Sequence, residues 1–147
     1  MDPDGSLQAQ VCFSLHAASR ATTTAYRGLL DSLGLTYPQY LVMLALWEQD
    51  GRAVGDLCAA LDLDTGTLSP LLKRLEARGL VERRRRASDE RRVDIHLSEA
   101  GRELEERASH IPARLAEATG LSPAELDALR ETLDRLRHAL AATDHGD

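Results

Sequence analysis

Aromatic residues are scarce, 3% of a 147-residue chain, so its three tyrosines stand out as candidates for a dedicated role. Cysteine is nearly absent. Cys12 and Cys58 are the only two, which excludes a disulfide framework for a protein of a reducing compartment. No stretch approaches the ~20 consecutive apolar residues of a membrane span. The N-terminus is acidic and lacks a long apolar run, which argues against a secretory signal. Together these predict a soluble, cytoplasmic protein of one domain, residues 1–147, with no membrane partner. His16, His96, His110, His138 and His145 are scattered without ligand spacing, and no nucleotide-binding loop or catalytic triad pattern appears. Neither a metal nor a cofactor is expected, nor an enzyme. Net positive charge is lacking too: the formal charge is −6, which by itself weighs against nucleic-acid binding.

The distribution of that charge reverses the argument. Residues 1–65 carry −5 and residues 98–147 carry −5, whereas residues 66–97 carry +4. Phosphate contacts require a local basic patch rather than a basic protein. Within the positive segment, Leu68, Leu71, Leu72 and Leu75 recur at helical period, an apolar stripe with Gly66, Pro70, Lys73 and Arg74 on the other side. Thr67 and Ser69 flank them, and small polar or basic side chains of this kind reach base edges and phosphates in a major groove. Gly79 suits the left-handed residue that closes a helix. Ser69-Pro70 has the look of a cap and first residue, but Asp64-Thr65 is the better start, because the ring of Pro70 then presses only on the carbonyl of Gly66.

After Gly79 the period changes. Leu80-Val81 and Val93–Leu97 read as two short strands around Arg83, Arg84, Arg85, Arg86, Asp89, Glu90, Arg91 and Arg92. A charge run is ordinarily a solvated face. Joined to a helix with a polar outer side, it reads as the wing of a winged helix-turn-helix, with the helix in the major groove and a wing arginine in the minor groove.

The flanks are helical. A first helix is expected from Leu7 to about Leu33, ended by Gly34; a second follows a Thr36 cap and Pro38 to about Asp50; a third spans Val54 to Leu61. Beyond the wing, Ser98 caps a long helix that Pro112 should bend or break, and Gly120 ends that segment. Ser122-Pro123-Ala124-Glu125 is a capping box that opens a last helix, striped by Leu126, Leu129, Leu133, Leu136 and Leu140. The expected architecture is mainly α with a small β-wing. Residues 36–97 form the DNA-binding core, and 7–33 and 98–142 are dimerisation helices. A two-fold homodimer would set two reading helices ~34–36 Å apart, matching a pseudo-palindromic operator in double-stranded DNA.

These features resemble the MarR family of winged-helix transcription factors over nearly the whole chain. The resemblance is carried by Leu35-Thr36-Tyr37-Pro38-Gln39-Tyr40, by residues 64–76 and by Asp89-Glu90-Arg91-Arg92 in the wing. Cys12-Phe13-Ser14-Leu15-His16-Ala17-Ala18-Ser19-Arg20 is similar to the organic-hydroperoxide-sensing OhrR subgroup. The resemblance implies a dimeric repressor released from DNA when organic hydroperoxide, its inducer, oxidises the N-terminal cysteine. It implies that Tyr26 and Tyr37 hydrogen-bond the Cys12 sulfur, that His16 stands in the sensor pocket where the subgroup has a third tyrosine, and that Asp89 and Arg91 match the pair orienting an arginine toward the minor groove.

The residues contribute to that reading on their own. A thiolate attacks peroxide, and a helix N-terminus and donated hydroxyls both favour it. The ordinary role of a lone helical cysteine is as a small buried hydrophobe. Cys12 and Tyr26 are 14 residues apart, or ~21 Å along one straight helix. Contact between them therefore requires a partner subunit or a sharp bend. Cys58 reads as core packing, poorly placed to resolve an oxidised Cys12, which would instead condense with a low-molecular-weight thiol or advance to sulfinic and sulfonic acids. Two rivals remain: a repressor of the same fold responding to a non-covalent phenolic or other small molecule, and a thiol peroxidase, for which no scaffold accompanies Cys12.

Overall fold

A computed structural model of the protein describes residues 5, 6 and 10–143; the expected helix start at Leu7 and His145 lie outside the described residues. The chain divides into two compact units, one ending at Ser109 and the other beginning at His110. The first holds α1 (Val11–Leu30), α2 (Tyr37–Glu48), β1 (Arg52–Ala53), α3 (Val54–Leu61), α4 (Thr65–Ala77), β2 (Val81–Arg86), β3 (Asp89–Leu97) and α5 (Glu99–Ala108). The second holds α6 (Ile111–Thr119) and α7 (Pro123–Thr143). The fold is the expected winged helix-turn-helix, helical with one small antiparallel sheet. The unit boundary separates α5 from α6 and α7, which the sequence grouped as one arm.

Local chemistry accounts for most element ends. α1 stops at Leu30, earlier than expected, because its last turn tightens into a 3-10 turn, Asp31–Leu33, closed by Gly34 at φ +65°. Thr36 and Gln39 then cap α2 reciprocally, each side chain bonding the other's backbone N–H. α2 buries Tyr40, Val42, Met43 and Leu46 and forms the centre of the core. α4 begins where Asp64 accepts the Thr67 N–H at 2.7 Å, and it carries Pro70 in its interior as expected. Its Leu68, Leu71, Leu72 and Leu75 are buried, each burial favouring the fold by roughly 1.5–3 kcal/mol. At its end Gly79, φ +73°, donates to the Glu76 carbonyl while Leu80 donates to Leu75. This pairing satisfies the last carbonyls and turns the chain into β2.

The sheet has the order β1-β3-β2. β1 was not expected, since two residues carry no periodic signal. Asp50 fixes it, its Oδ1 accepting the N–H groups of Gly51 and Leu97 at 2.8 Å each. β2 and β3 run farther than expected, to Arg86 and from Asp89, so the basic run is largely strand.

In the second unit Pro112 falls in the first turn of α6, the predicted break, and Gly120 at φ +70° ends that helix. Ser122 and Glu125 exchange capping bonds of 3.2 Å before α7. α7 buries none of its residues, and Leu129, Leu133 and Leu140 are exposed. α1 is similarly bare: Val11, Phe13 and Leu15 face solvent. Each unit thus carries an apolar stripe that its own elements leave uncovered. Among the described residues, no helix is long and apolar enough to cross a membrane.

Candidate functional site

The reading surface follows from the burial of α4. With its leucine stripe packed inward, Thr67, Pro70, Lys73 and Arg74 are exposed together on the outer side, and Ser69 is half-buried beside them. The Asp64 carboxyl that starts the helix is held below its ordinary value by the backbone and side-chain hydrogen bonds of Thr67. Arg83 ties the wing to this helix. Its guanidinium donates to the Ser69 carbonyl at 3.4 Å, its backbone N–H donates to Glu76 at 3.3 Å, and its Nε lies 4.0 Å from the same carboxylate.

The wing arginines expected to act alike do not share one environment. Arg84 pairs with neighbouring Glu82 at 3.0 Å, and Arg86 with Asp94 at 2.7 Å. Arg85, Arg91 and Arg92 are exposed. Asp89 does engage Arg91, but through the backbone: its carboxylate accepts the Arg91 N–H at 3.1 Å, and Arg91 itself is exposed.

The thiol and the tyrosines lie apart. Gln10 is the N-cap of α1, so Cys12 sits in the first turn, nearer the helix start than the sequence suggested, and is exposed. His16 follows one turn later on the same face and is also exposed. Tyr26 and Tyr37, the two expected donors to the Cys12 sulfur, stack on each other with ring centroids 4.5 Å apart. Two rings not anticipated extend the cluster: Tyr40 lies 5.8 Å from Tyr26, and Trp47 packs edge-on to Tyr40 at 6.3 Å. Burial, with Tyr37 and Tyr40 alongside, pushes the Tyr26 hydroxyl up to about 12, and burial raises those of Tyr37 and Tyr40 as well. All three hydroxyls are therefore protonated donors at neutral pH. Because α1 is unbroken from Val11 to Leu30, the bend that would join Cys12 to Tyr26 of its own chain is absent, and ~21 Å of helix separates them. Cys58 is half-buried on α3, its sulfur 3.8 Å from the Thr65 hydroxyl at the start of α4.

One link went unforeseen, because a basic residue at a helix end looks like any solvated charge. Arg78 follows α4 and donates to the carbonyls of Gly34, at 2.5 Å, and Leu33, at 3.1 Å. A Cβ on Gly34 would meet this guanidinium at 3.0 Å. The end of the reading helix is thus fastened to the turn that leads into Tyr37. Beside that turn is an open pocket of about 480 Å³, lined by Thr23, Arg27, Asp31, Gly34, Leu35, Thr36, Tyr37 and Pro38.

Most of the chain is similar to known transcriptional regulators. The family profile described as "Transcriptional regulator SarA/Rot" matches residues 24–107. The HTH-type transcriptional regulator TtmR of Methylorubrum extorquens (strain PA1) is 46% identical over 141 residues, 96% of this chain and 72% of the relative. The organic hydroperoxide resistance transcriptional regulator of Bacillus subtilis (strain 168) is 44% identical over 134 residues, 91% of each chain. Among solved structures, reduced AbfR bound to DNA superposes with a TM-score of 0.80 at 34% identity, covering 95% of both chains. Overoxidized AbfR bound to DNA gives 0.75 at 35% identity, covering 91% of this chain and 94% of the other.

Proposed function

This chain belongs to the MarR-type winged-helix transcriptional regulators, DNA-binding proteins, and from that premise we propose that it is a homodimeric repressor that organic hydroperoxides release from its operator by oxidising Cys12. The observation that carries the reading is the separation of the thiol from its tyrosines. Tyr26 and Tyr37 present protonated hydroxyls as a stacked pair, yet the straight α1 keeps them a helix length from their own Cys12. A second copy packed on the bare stripe of α1 would bring one chain's Cys12 to the other's tyrosines. The 44% identity to a regulator of organic hydroperoxide resistance supports the same inducer.

In the proposed reaction the Cys12 thiolate attacks the distal oxygen of the hydroperoxide. The S–O bond forms as the O–O bond breaks, giving sulfenic acid and, after protonation of the leaving alkoxide, an alcohol. A low-molecular-weight thiol then condenses with the sulfenic acid, releasing water and leaving a mixed disulfide. This bulky product is the more effective releasing species in the proposal. Overoxidized AbfR is bound to DNA in its structure, so in that relative further oxidation of the protein is compatible with the complex. Displacement of Tyr37 would reach α4 through the turn that Arg78 grips.

A gel-shift on the DNA upstream of its own gene tests the reading. The reduced protein should bind, and hydroperoxide with a small thiol should release it, with the adduct located on Cys12 by mass spectrometry. Retention of the complex after complete conversion of Cys12 would overturn the redox mechanism. The pocket beside Arg27 and Tyr37 favours a second reading, a phenolic or other small-molecule ligand bound without covalent change, and this predicts release by the ligand alone. On the DNA side, Arg91→Ala should cost roughly 1–3 kcal/mol per half-site by removing a minor-groove contact, whereas Lys73→Ala should mainly flatten the salt dependence. Parental affinity in the Arg91 variant would show that the wing stays out of the groove.

A further inference from the structure

We infer that Arg86 and Asp94 form a clasp that holds the bulged segment of β3 in shape and so presents Arg91 and Arg92, making Arg86 a positioning residue rather than a DNA contact. The inference rests on the DNA-binding reading of the wing. Its basis is the register of the hairpin. β2 and β3 pair one to one from Val81 opposite Leu97 to Arg85 opposite Val93, but the next pair is Arg86 opposite Asp89. Glu90, Arg91 and Arg92 therefore have no counterpart on β2. A bulge of this kind disrupts the ladder and re-aims its side chains, and it keeps one shape only if other contacts hold its ends.

Both ends are held. At the tip, Asp89 accepts the Arg91 backbone N–H at 3.1 Å. At the base, Arg86 Nε donates to Asp94 Oδ2 at 2.7 Å, diagonally across the site of the register shift. The residue directly opposite Asp94 is Arg84, whose guanidinium is taken by Glu82. The Asp94 side chain is 13% exposed and that of Arg86 38%, so the contact is shielded from water on the carboxylate side. Arg86 also lies in the field of Asp56 on α3 and of Asp89. These two carboxylates add only smaller attractions to that of Asp94, and to reach a phosphate the guanidinium would have to give up its short ion pair. Arg91 and Arg92, on the bulge itself, have exposed side chains.

The sign of one substitution separates this arrangement from simple charge counting. Asp94→Asn removes a negative charge beside the DNA, so counting charges predicts tighter binding. Loss of the clasp predicts weaker binding, by ~3–10-fold per half-site, because Arg91 and Arg92 must then be ordered on binding. In an Arg91→Ala, Arg92→Ala background the same substitution should cost nothing further. Exchanging the pair, Arg86→Asp with Asp94→Arg, should recover most of the affinity. Unchanged or tighter binding by Asp94→Asn overturns the clasp. So does a fall of about 0.9 in the salt slope for Arg86→Met, the signature of a lost phosphate contact. If the parental protein itself fails to bind the duplex, the DNA-binding reading falls together with the clasp; parental binding combined with a silent Asp94→Asn removes the clasp alone.

Discussion

Gly101→Ala is expected to destabilise the protein by about 3 kcal/mol or more, a large part of the ~5–15 kcal/mol that holds a domain together. Gly101 lies in the first turn of α5, buried, and a Cβ there would overlap the Leu80 carbonyl oxygen and stand 3.3 Å from Leu97 Cδ2. The obstacle is backbone and is already engaged, since the same carbonyl accepts the Ser98 N–H at 3.0 Å. The Gly101 carbonyl in turn accepts the indole N–H of Trp47 at 2.9 Å, so α5 cannot back away without losing its bond to α2. Helix propensity alone predicts the opposite sign, a gain of roughly 1 kcal/mol for alanine over glycine. Gly55→Ala, on α3 with nothing within 4 Å of the added Cβ, is the control and should be neutral or stabilising. Urea or thermal unfolding of both variants checks the pair. A higher midpoint for Gly101→Ala would mean that α5 does not rest on Leu80.

Cys12→Ser is expected to abolish release by organic hydroperoxide while leaving the affinity of the reduced protein for its operator close to parental. Serine keeps the size and hydrogen bonding of the exposed side chain, so folding should be unaffected. Its hydroxyl is not a nucleophile toward the O–O bond, so the first step of the proposed chemistry has no substitute. An undiminished response in the variant would transfer the sensing role elsewhere, to Cys58 or to the pocket beside Tyr37. Mixed dimers then locate the tyrosine donors. In a heterodimer of one Cys12→Ser chain and one Tyr26→Phe chain, the remaining Cys12 lies on the chain that lacks the Tyr26 hydroxyl. If the donor comes from the partner, that thiol still meets an intact Tyr26 and reacts at the parental rate. If the donor came from its own chain, the thiol would react as slowly as the Tyr26→Phe homodimer. Slow reaction would refute the intersubunit pocket, and the unbroken course of α1 gives the reason to expect the fast one.

The sequence by itself determined what backbone chemistry decides within a few residues. Asp64 at the start of α4, the helix-ending Gly34, Gly79 and Gly120, the break at Pro112 and the Ser122–Glu125 box were all legible, because each depends on φ, on a missing N–H or on a side chain within reach of its own turn. The leucine stripe of α4 likewise named its inner face, and so its outer one. Only the tertiary structure decided which wing arginines face outward, because a register shift between Arg85 and Arg86 is a relation between two strands. The same holds for β1, which exists only as a partner for β3, and for Arg78, whose acceptors lie 44 and 45 residues away. It holds most clearly for Gly101. Its neighbourhood in the chain sees a weak point in a helix; across the fold stands the carbonyl of Leu80, and at close contact repulsion between atoms far apart in sequence outweighs any local preference.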